Sequence, residues 1–464
     1  MKKVNVIGYA LLEFFQIQSK IKYLIGFLFV FCCAYFILLS YGPVVWVYDS
    51  GLYYDLGNSY YNENGFSILN FNAAYRGYSY PLLLNVIRFI SQGTGCSETI
   101  VFELFSALLF SFFSCIIVPE FIEKLFKGTL VKLGQILLYA SIFLFFWADT
   151  MAYPLTDIPS VYFMLFSVSL LLSRNVFWFI LSGVFAGLAI NFRPIYAIAL
   201  LPILFYVWYA GFDKTQIKRK LLGTFFILAG VFIISLPQIL INKKWHATYS
   251  PMVQTSGVYE GGLYFQQLKI GMGAEKYETN IGTAYPKPQV YFVSKTGNAI
   301  AVKEPISNYS DYFKLYLKYP VEFAYMNFKH LFNSIDIKDS CVYTKNIYKR
   351  RYLFSLINYS VFFLFFCILI YENIKCRKNL IFLSLIFLLP FMAILPTQVE
   401  VRFSFPFLII VYLTVGFYGG YKDLLKQFFG PRKRRILLAW FFFVSICFIL
   451  SQSTYAMLEF DKQL

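Results

Sequence analysis

The sequence predicts an all-α polytopic membrane protein, a bundle of about eleven transmembrane helices with one large, mixed loop module outside the membrane. Three observations predict it. Of 464 residues, 59% are hydrophobic and only 14% are charged, whereas a soluble domain has roughly 45–50% apolar and about 25% charged residues. Mean hydropathy is +0.60. Apolar runs of about 17–25 residues recur along the chain, separated by short basic clusters. The aromatic share of 21%, mostly Phe and Tyr, suits lipid-facing packing and interfacial belts. The net charge of +17 lies mainly in clusters between spans. Positive-inside topology explains it there, so nucleic acid is not expected as a partner.

The elements follow in order. After MKKVNVIGYALLEFFQIQSKIK, the apolar core from Ile21 to Val45 is too long for a signal peptide and ends in no small-residue cleavage site, so it is expected to stay as the first span. Further spans are expected near 97–119, 131–148, 157–173, 175–191, 194–211, 221–241, 352–371, 379–396, 403–420 and 436–452. The pair 175–191 and 194–211 is joined only by 191-NFRP-194. The basic segments KLFKGTLVK, DKTQIKRK, ENIKCRK and YKDLLKQFFGPRKRR fall on the same side as the N-terminus, which predicts N-in, C-out topology. The division is then 1–241, an N-terminal membrane module with outside loops at 46–96 and 149–156; 242–351, an outside loop module; and 352–464, the C-terminal helices. Within the loop module, 308-NYSDYFKLYLKYPVEFAYMNFKHLF-332 has helical apolar spacing on both sides of Pro320, and the module reads as ordered and resting on the membrane. The eight cysteines show no metal-type spacing. Cys96 and Cys341 lie outside, and a disulfide between them is one option; Cys32 and Cys33 sit inside a span.

The outside face gathers Asp49, Asp55, Glu63, Arg76, Asp149, Asp157, Arg193, Glu400 and Arg402, most within a few residues of a span end. Charges near low dielectric interact strongly and are costly alone, which points to acids and arginines meeting around something charged. Asp49, in 46-WVYDSGLYYDLGNSYYNENG-65, is the leading candidate, with Tyr53 on the face of the same helical run. An N-cap role is the plain alternative for Asp49, and in 153-YPLTDIPSVYF-163 either Thr156 or Asp157 could cap the fourth span. Asp55 and Asp149 read as surface carboxylates and NENG as a turn. Arg76 in 75-YRGYSYPLLLN-85 precedes a segment too short to span; its plain role is snorkelling. Arg193 in NFRP and Arg402 in 397-TQVEVRFSFP-406 stand on the side that topology keeps poor in cations, where a planar fork of donors suits a phosphate. Glu400 is equally suited to pairing with Arg402. His246 and His330 read as surface or packing residues, and 183-GVFAG-187 as small-xxx-small helix packing. No P-loop, Rossmann fingerprint, zinc motif or nucleophile elbow is present.

The order of these pieces resembles the GT-C superfamily of polyprenol-dependent glycosyltransferases, with layouts like those of protein O-mannosyltransferases and the lipid A aminoarabinose transferase. The resemblance rests on an acid just after the first span (VYDSGLYYDLG), RGYSYP before the second, 156-TDIPS-160 opening the fourth, 193-RPIYAIALLP-202, a large outside loop, and 400-EVRFSFP-406. It touches most of the chain through short motifs. It departs where many relatives have Asp-Glu and this chain has Asp49-Ser50. The resemblance implies an inverting membrane glycosyltransferase of the plasma (inner) membrane, moving a sugar from a polyprenyl-phosphate donor to a cell-envelope glycan or lipid on the extracytoplasmic face. It implies Asp49 and Asp157 as catalytic groups, Arg76, Arg193 and Arg402 on the donor phosphate, and Tyr53 and Glu400 toward substrate. No cofactor is required, although a divalent metal is compatible. The competing class is a polysaccharide polymerase or lipid-linked sugar transporter; a transporter places charges or broken helices at mid-membrane.

Overall fold

Where nearly every side chain in a run is apolar, the backbone's own polar groups need partners within the segment, and a helix supplies them. The computed structural model describes residues 15–458 apart from 18, 43, 127, 174, 213–214, 340–341, 350, 372–377, 422–423, 425–429 and 431–432. Its elements divide into two compact units, Met1–Met252 with Cys376–Leu383 and Tyr412–Gly419, and Val253–Lys375 with Ser384–Val411 and Gly420–Leu464.

The first unit begins with α1 (Ile21–Ser40), a short helix α2 (Tyr48–Asp55), and a two-residue hairpin of β1 (Tyr61–Asn62) and β2 (Gly65–Phe66). NENG forms its turn, as its composition predicts. Next come α3 (Ser79–Thr94), α4 (Glu98–Leu125, with a π-helical stretch at Phe113–Ile117), α5 (Leu133–Met151), α6 (Asp157–Leu171), α7 (Trp178–Phe192), α8 (Pro194–Gly211) and α9 (Ile217–His246). The predicted small-residue contact is present where α7 crosses α9. A Cβ on Gly183 would overlap the carbonyl oxygen of Ile227, and one on Gly230 that of Ile180.

The second unit opens with α10 (Leu263–Gly273), followed by antiparallel β3 (Ala274–Thr279) and β4 (Gln289–Val293) and by α11 (Lys295–Lys303). Helices α12 (Tyr309–Lys318) and α13 (Pro320–Ile335) form on either side of Pro320 as the spacing predicts. Asn308 caps α12 by accepting from Asp311 N, and Pro320 takes the first position of α13, where a missing N–H costs nothing. Among the described residues the remaining helices are α14 (Tyr352–Tyr371), α15 (Lys378–Ile394), α16 (Phe405–Phe417) and α17 (Lys433–Tyr455).

Among the described residues seven helices are long and apolar enough to cross a membrane: α1, α4, α5, α8, α9, α14 and α17. The other predicted spans coincide with shorter apolar helices at Asp157–Leu171, Trp178–Phe192, Leu380–Ile394 and Val401–Phe417. The chain is therefore a helical, membrane-type protein with little sheet. Cys96 is a free thiol, and Cys341 lies outside the described residues.

Candidate functional site

The first unit brings four of the predicted residues together as two carboxylate–arginine pairs. Asp49 lies in the first turn of α2, with Arg76 Nη2 donating to its Oδ1 at 2.5 Å. Asp157 lies in the first turn of α6 and pairs with Arg193 Nη1. Asp157 is only 3% exposed, so an unpaired charge there would be costly.

Local sequence explains each placement. Val47, not Asp49, is the N-cap of α2; Ser50 turns back, its Oγ accepting from Val47 N at 3.1 Å. The N-cap reading of Asp49 is thereby corrected, and Ser50 has a capping role of its own. Tyr48 has φ +51°, an uncommon conformation for an aromatic residue, immediately before Asp49. At α6 the N-cap is likewise not the acid: Thr156 holds that position, and its side chain makes no cap bond.

Two contacts hold the pairs near each other. On one side, the Tyr53 and Thr156 hydroxyls lie 3.3 Å apart, linking α2 to the residue before Asp157. On the other, Gly77 packs on Asn191, two residues before Arg193; a Cβ at Gly77 would overlap the Asn191 carbonyl oxygen. Asn191 Oδ1 accepts from Ser79 N (2.9 Å) and Ser79 Oγ (2.5 Å), and its Nδ2 donates to Gln238 Oε1 at 3.2 Å. Gln238 donates on to Asn242 at 3.0 Å. Arg76 is therefore positioned by pairing and backbone packing, which replaces the snorkelling reading. Its guanidinium also lies over the rings of Tyr53 (4.9 Å) and Tyr75 (5.1 Å). Tyr53 stacks edge-on against Tyr80, and Tyr80 against Phe192.

An aromatic-lined pocket adjoins this region. Tyr80, Phe102, Phe110, Thr150, Ile158 and Tyr162 are among its walls. Asp149, read from sequence as a surface carboxylate, is instead buried in the last turn of α5. Its neighbours Phe146, Trp147, Ala148 and Thr150 are buried with it, because this end of α5 is enclosed on all sides. Asp55 is exposed, as predicted.

Glu400 and Arg402 belong to the second unit and form a pair of their own, Arg402 Nε to Glu400 Oε2 at 2.5 Å. The other Glu400 oxygen accepts from Thr279 Oγ1 at 3.1 Å, and Tyr277 N donates to Val399 O at 2.8 Å. The loop module's β3 thus holds the EVRF segment. Behind it lies a buried charged cluster: Glu278 with Lys276 (3.1 Å) and Lys338 (2.7 Å), and Glu275 with Lys329 (3.1 Å). Burial alone would raise the Glu278 pKa, but Lys338 and Lys276 outweigh it and hold the carboxyl below its ordinary range. Tyr455 Oη donates to Glu278 Oε1, and Ser451 and Tyr359 donate to Asp336, so the cluster fastens α14 and α17 to the module. His330 is buried with Nδ1 2.7 Å from Leu395 O and Nε2 2.8 Å from Ala274 O, a packing role as predicted.

Sequence reading missed the Asn191–Gln238–Asn242 relay, although amides four residues apart in an apolar span were the available signal. It also missed Glu103, a buried carboxyl in α4 with no hydrogen bond or ion pair among the described residues. No group of three or more His, Cys, Asp or Glu side chains among the described residues converges as metal ligands. No family model and no curated protein matches the chain.

Proposed function

We propose that this protein is an integral-membrane glycosyltransferase of the GT-C type, moving a sugar from a polyprenyl-phosphate donor to a cell-envelope glycan or lipid. The observation that carries the reading is the convergence of the Asp49–Arg76 and Asp157–Arg193 pairs beside an aromatic pocket. Acids and arginines held together at span ends suit a reaction in which a proton leaves and phosphate charge grows. In the proposed step the Asp49 carboxylate takes the acceptor hydroxyl proton as the acceptor oxygen attacks the anomeric carbon. The bond from that carbon to the phosphate oxygen breaks, and its electron pair stays with the lipid phosphate. Arg76 and Arg193 stabilise that growing charge. Donor phosphate competes with Asp49 for Arg76, so donor binding leaves the carboxylate basic at the moment it is used.

The basic clusters support an N-in topology with this site on the extracytoplasmic face of a plasma membrane. Eleven crossings require the four shorter apolar helices to span as well. The test is Asp49→Asn in purified protein supplied with polyprenyl-phosphate sugar. Transfer is expected to fall by about 10²–10⁴-fold, the usual contribution of a placed base, with folding retained. Transfer close to wild type would remove Asp49 as the base.

A further inference from the structure

The loop module carries an apolar surface that its own fold leaves uncovered. On α12 Phe313 is 65% and Leu317 81% exposed, and on α13 Val321 is 76% exposed. Tyr325 and Phe328 are also exposed, while Tyr312, Leu315, Phe323 and Met326 on the opposite sides form the module's core with Phe265 and Leu268. The exposed residues of α13 recur at 321, 325 and 328, a single helical face, with Ala324 between them. No charged residue interrupts that face. Water is a poor neighbour for it, and large exposed apolar faces mark contact with another apolar phase.

Its continuation identifies the phase. One turn beyond Phe328, Phe332 is buried in a cluster with Tyr359 of α14 and with Val444 and Cys447 of α17. At the end of α13, Asp336 accepts from Tyr359 and Ser451, both inside helices long and apolar enough to cross a membrane. The face therefore runs without a break into the flank of two candidate spans, whose own Leu353 and Ile449 are exposed. A helix of 16 residues extends about 24 Å, so α13 can carry the apolar surface sideways from that entry point. Lys314 and Lys318 border the face on α12 with exposed side chains, their ammoniums paired with Asp311 (3.7 Å) and Glu304 (2.5 Å), which gives the face a polar edge.

We infer that α12 and α13 form a membrane-surface platform, with Phe313, Leu317, Val321, Tyr325 and Phe328 seated at the headgroup–acyl boundary of the bilayer that α14 and α17 enter. The occupant of this face is phospholipid. The inference is independent of the proposed transferase activity, since it concerns only what covers the face.

The experiment places the photoreactive residue p-benzoylphenylalanine at Val321, at Phe328 and, as a polar control, at the exposed Lys287 of the full-length protein. Each variant is reconstituted into vesicles of equal phosphatidylcholine and phosphatidylglycerol, irradiated, and read by intact-mass and peptide mass spectrometry. Both apolar positions accept a bulky side chain because they already point out of the fold. The expected result is a mass increase of one phospholipid at Val321 and Phe328 and none at Lys287. Cross-linking of these positions to a second copy of the chain, adducts at Lys287 as frequent as at Phe328, or no lipid adduct at either apolar position would each overturn the proposal.

Discussion

Gly77→Ala isolates the contact that brings Arg76 and Arg193 close. The new methyl would overlap the Asn191 carbonyl oxygen, which is backbone and has no side-chain rotamer through which to escape. The RGYSYP segment and the NFRP segment must therefore separate. The separation strips Asn191 Oδ1 of its bonds from Ser79 N and Oγ, and weakens the 3.4 Å contact from Tyr78 N to Gln238. At about 0.5–1.5 kcal/mol per hydrogen bond, losing two or three costs roughly 1–4 kcal/mol. Displacing Arg76 from Asp49 by about 1 Å would reduce turnover by about 10²-fold if the pairs form a reacting site. The assay is thermal unfolding of detergent-purified Gly77→Ala beside Gly93→Ala, whose added methyl meets nothing within 4 Å. Gly77→Ala is expected to lower the midpoint and Gly93→Ala to leave it unchanged or raise it slightly. An unchanged midpoint in Gly77→Ala would refute the close packing from which the two pairs' proximity is argued.

Arg193→Lys keeps the charge but loses the planar fork, so it is expected to raise the donor Michaelis constant or lower turnover, by the equivalent of about 1–3 kcal/mol; kinetics equal to wild type at matched folded amounts would remove Arg193 from the site. Cysteine at exposed Lys218 is expected to be protected from an impermeant thiol reagent in intact cells and cysteine at exposed Lys287 to be labelled. The reverse pattern would invert the proposed topology. Burial places the His330 pKa below its ordinary value despite two facing carbonyls. The unfolded chain thus takes up the proton first as pH falls, and stability should be full above about pH 6.5 and decline below it. A thermal midpoint that falls between about pH 8 and pH 5.5, and falls less in His330→Asn, is the expected observation.

How much of this was legible in the sequence depended on the range of the interaction. The apolar runs specify helices through their own backbone bonds, so each predicted span is helical. Span number was less legible, because the apolar helices at Asp157–Leu171, Trp178–Phe192, Leu380–Ile394 and Val401–Phe417 are shorter than a bilayer requires by themselves. Asp49, Arg76, Asp157 and Arg193 could be listed from their positions at span ends, yet their pairing could not. The nearness of the two pairs is set by Gly77 against Asn191 and Tyr53 against Thr156, contacts between segments about 100 residues apart in sequence. Asp149 illustrates the opposite failure: its sequence position is that of a loop acid, and only the enclosure of α5 buries it.

The pairing also bears on which ligand could use these arginines. Each arginine in the first-unit site already has a carboxylate, so the resting site is close to neutral and tolerates its low-dielectric position. A neutral ligand gains nothing from displacing Asp49 or Asp157 and leaves a buried charge behind. An anion gains only if its oxygens replace the carboxylate's bonds to the guanidinium. A lipid-linked sugar phosphate is a diester with a single charge, and the monoester released on transfer approaches two charges at neutral pH. In the proposed transfer the arginines would therefore bind the leaving group more strongly as its bond to the sugar breaks. Interactions that strengthen along the reaction lower its barrier, whereas those equal in donor and transition state do not. Paired arginines are in this respect better suited to the proposed transfer than free ones: the carboxylates would weaken binding of the donor, and the growth of phosphate charge would restore it at the transition state.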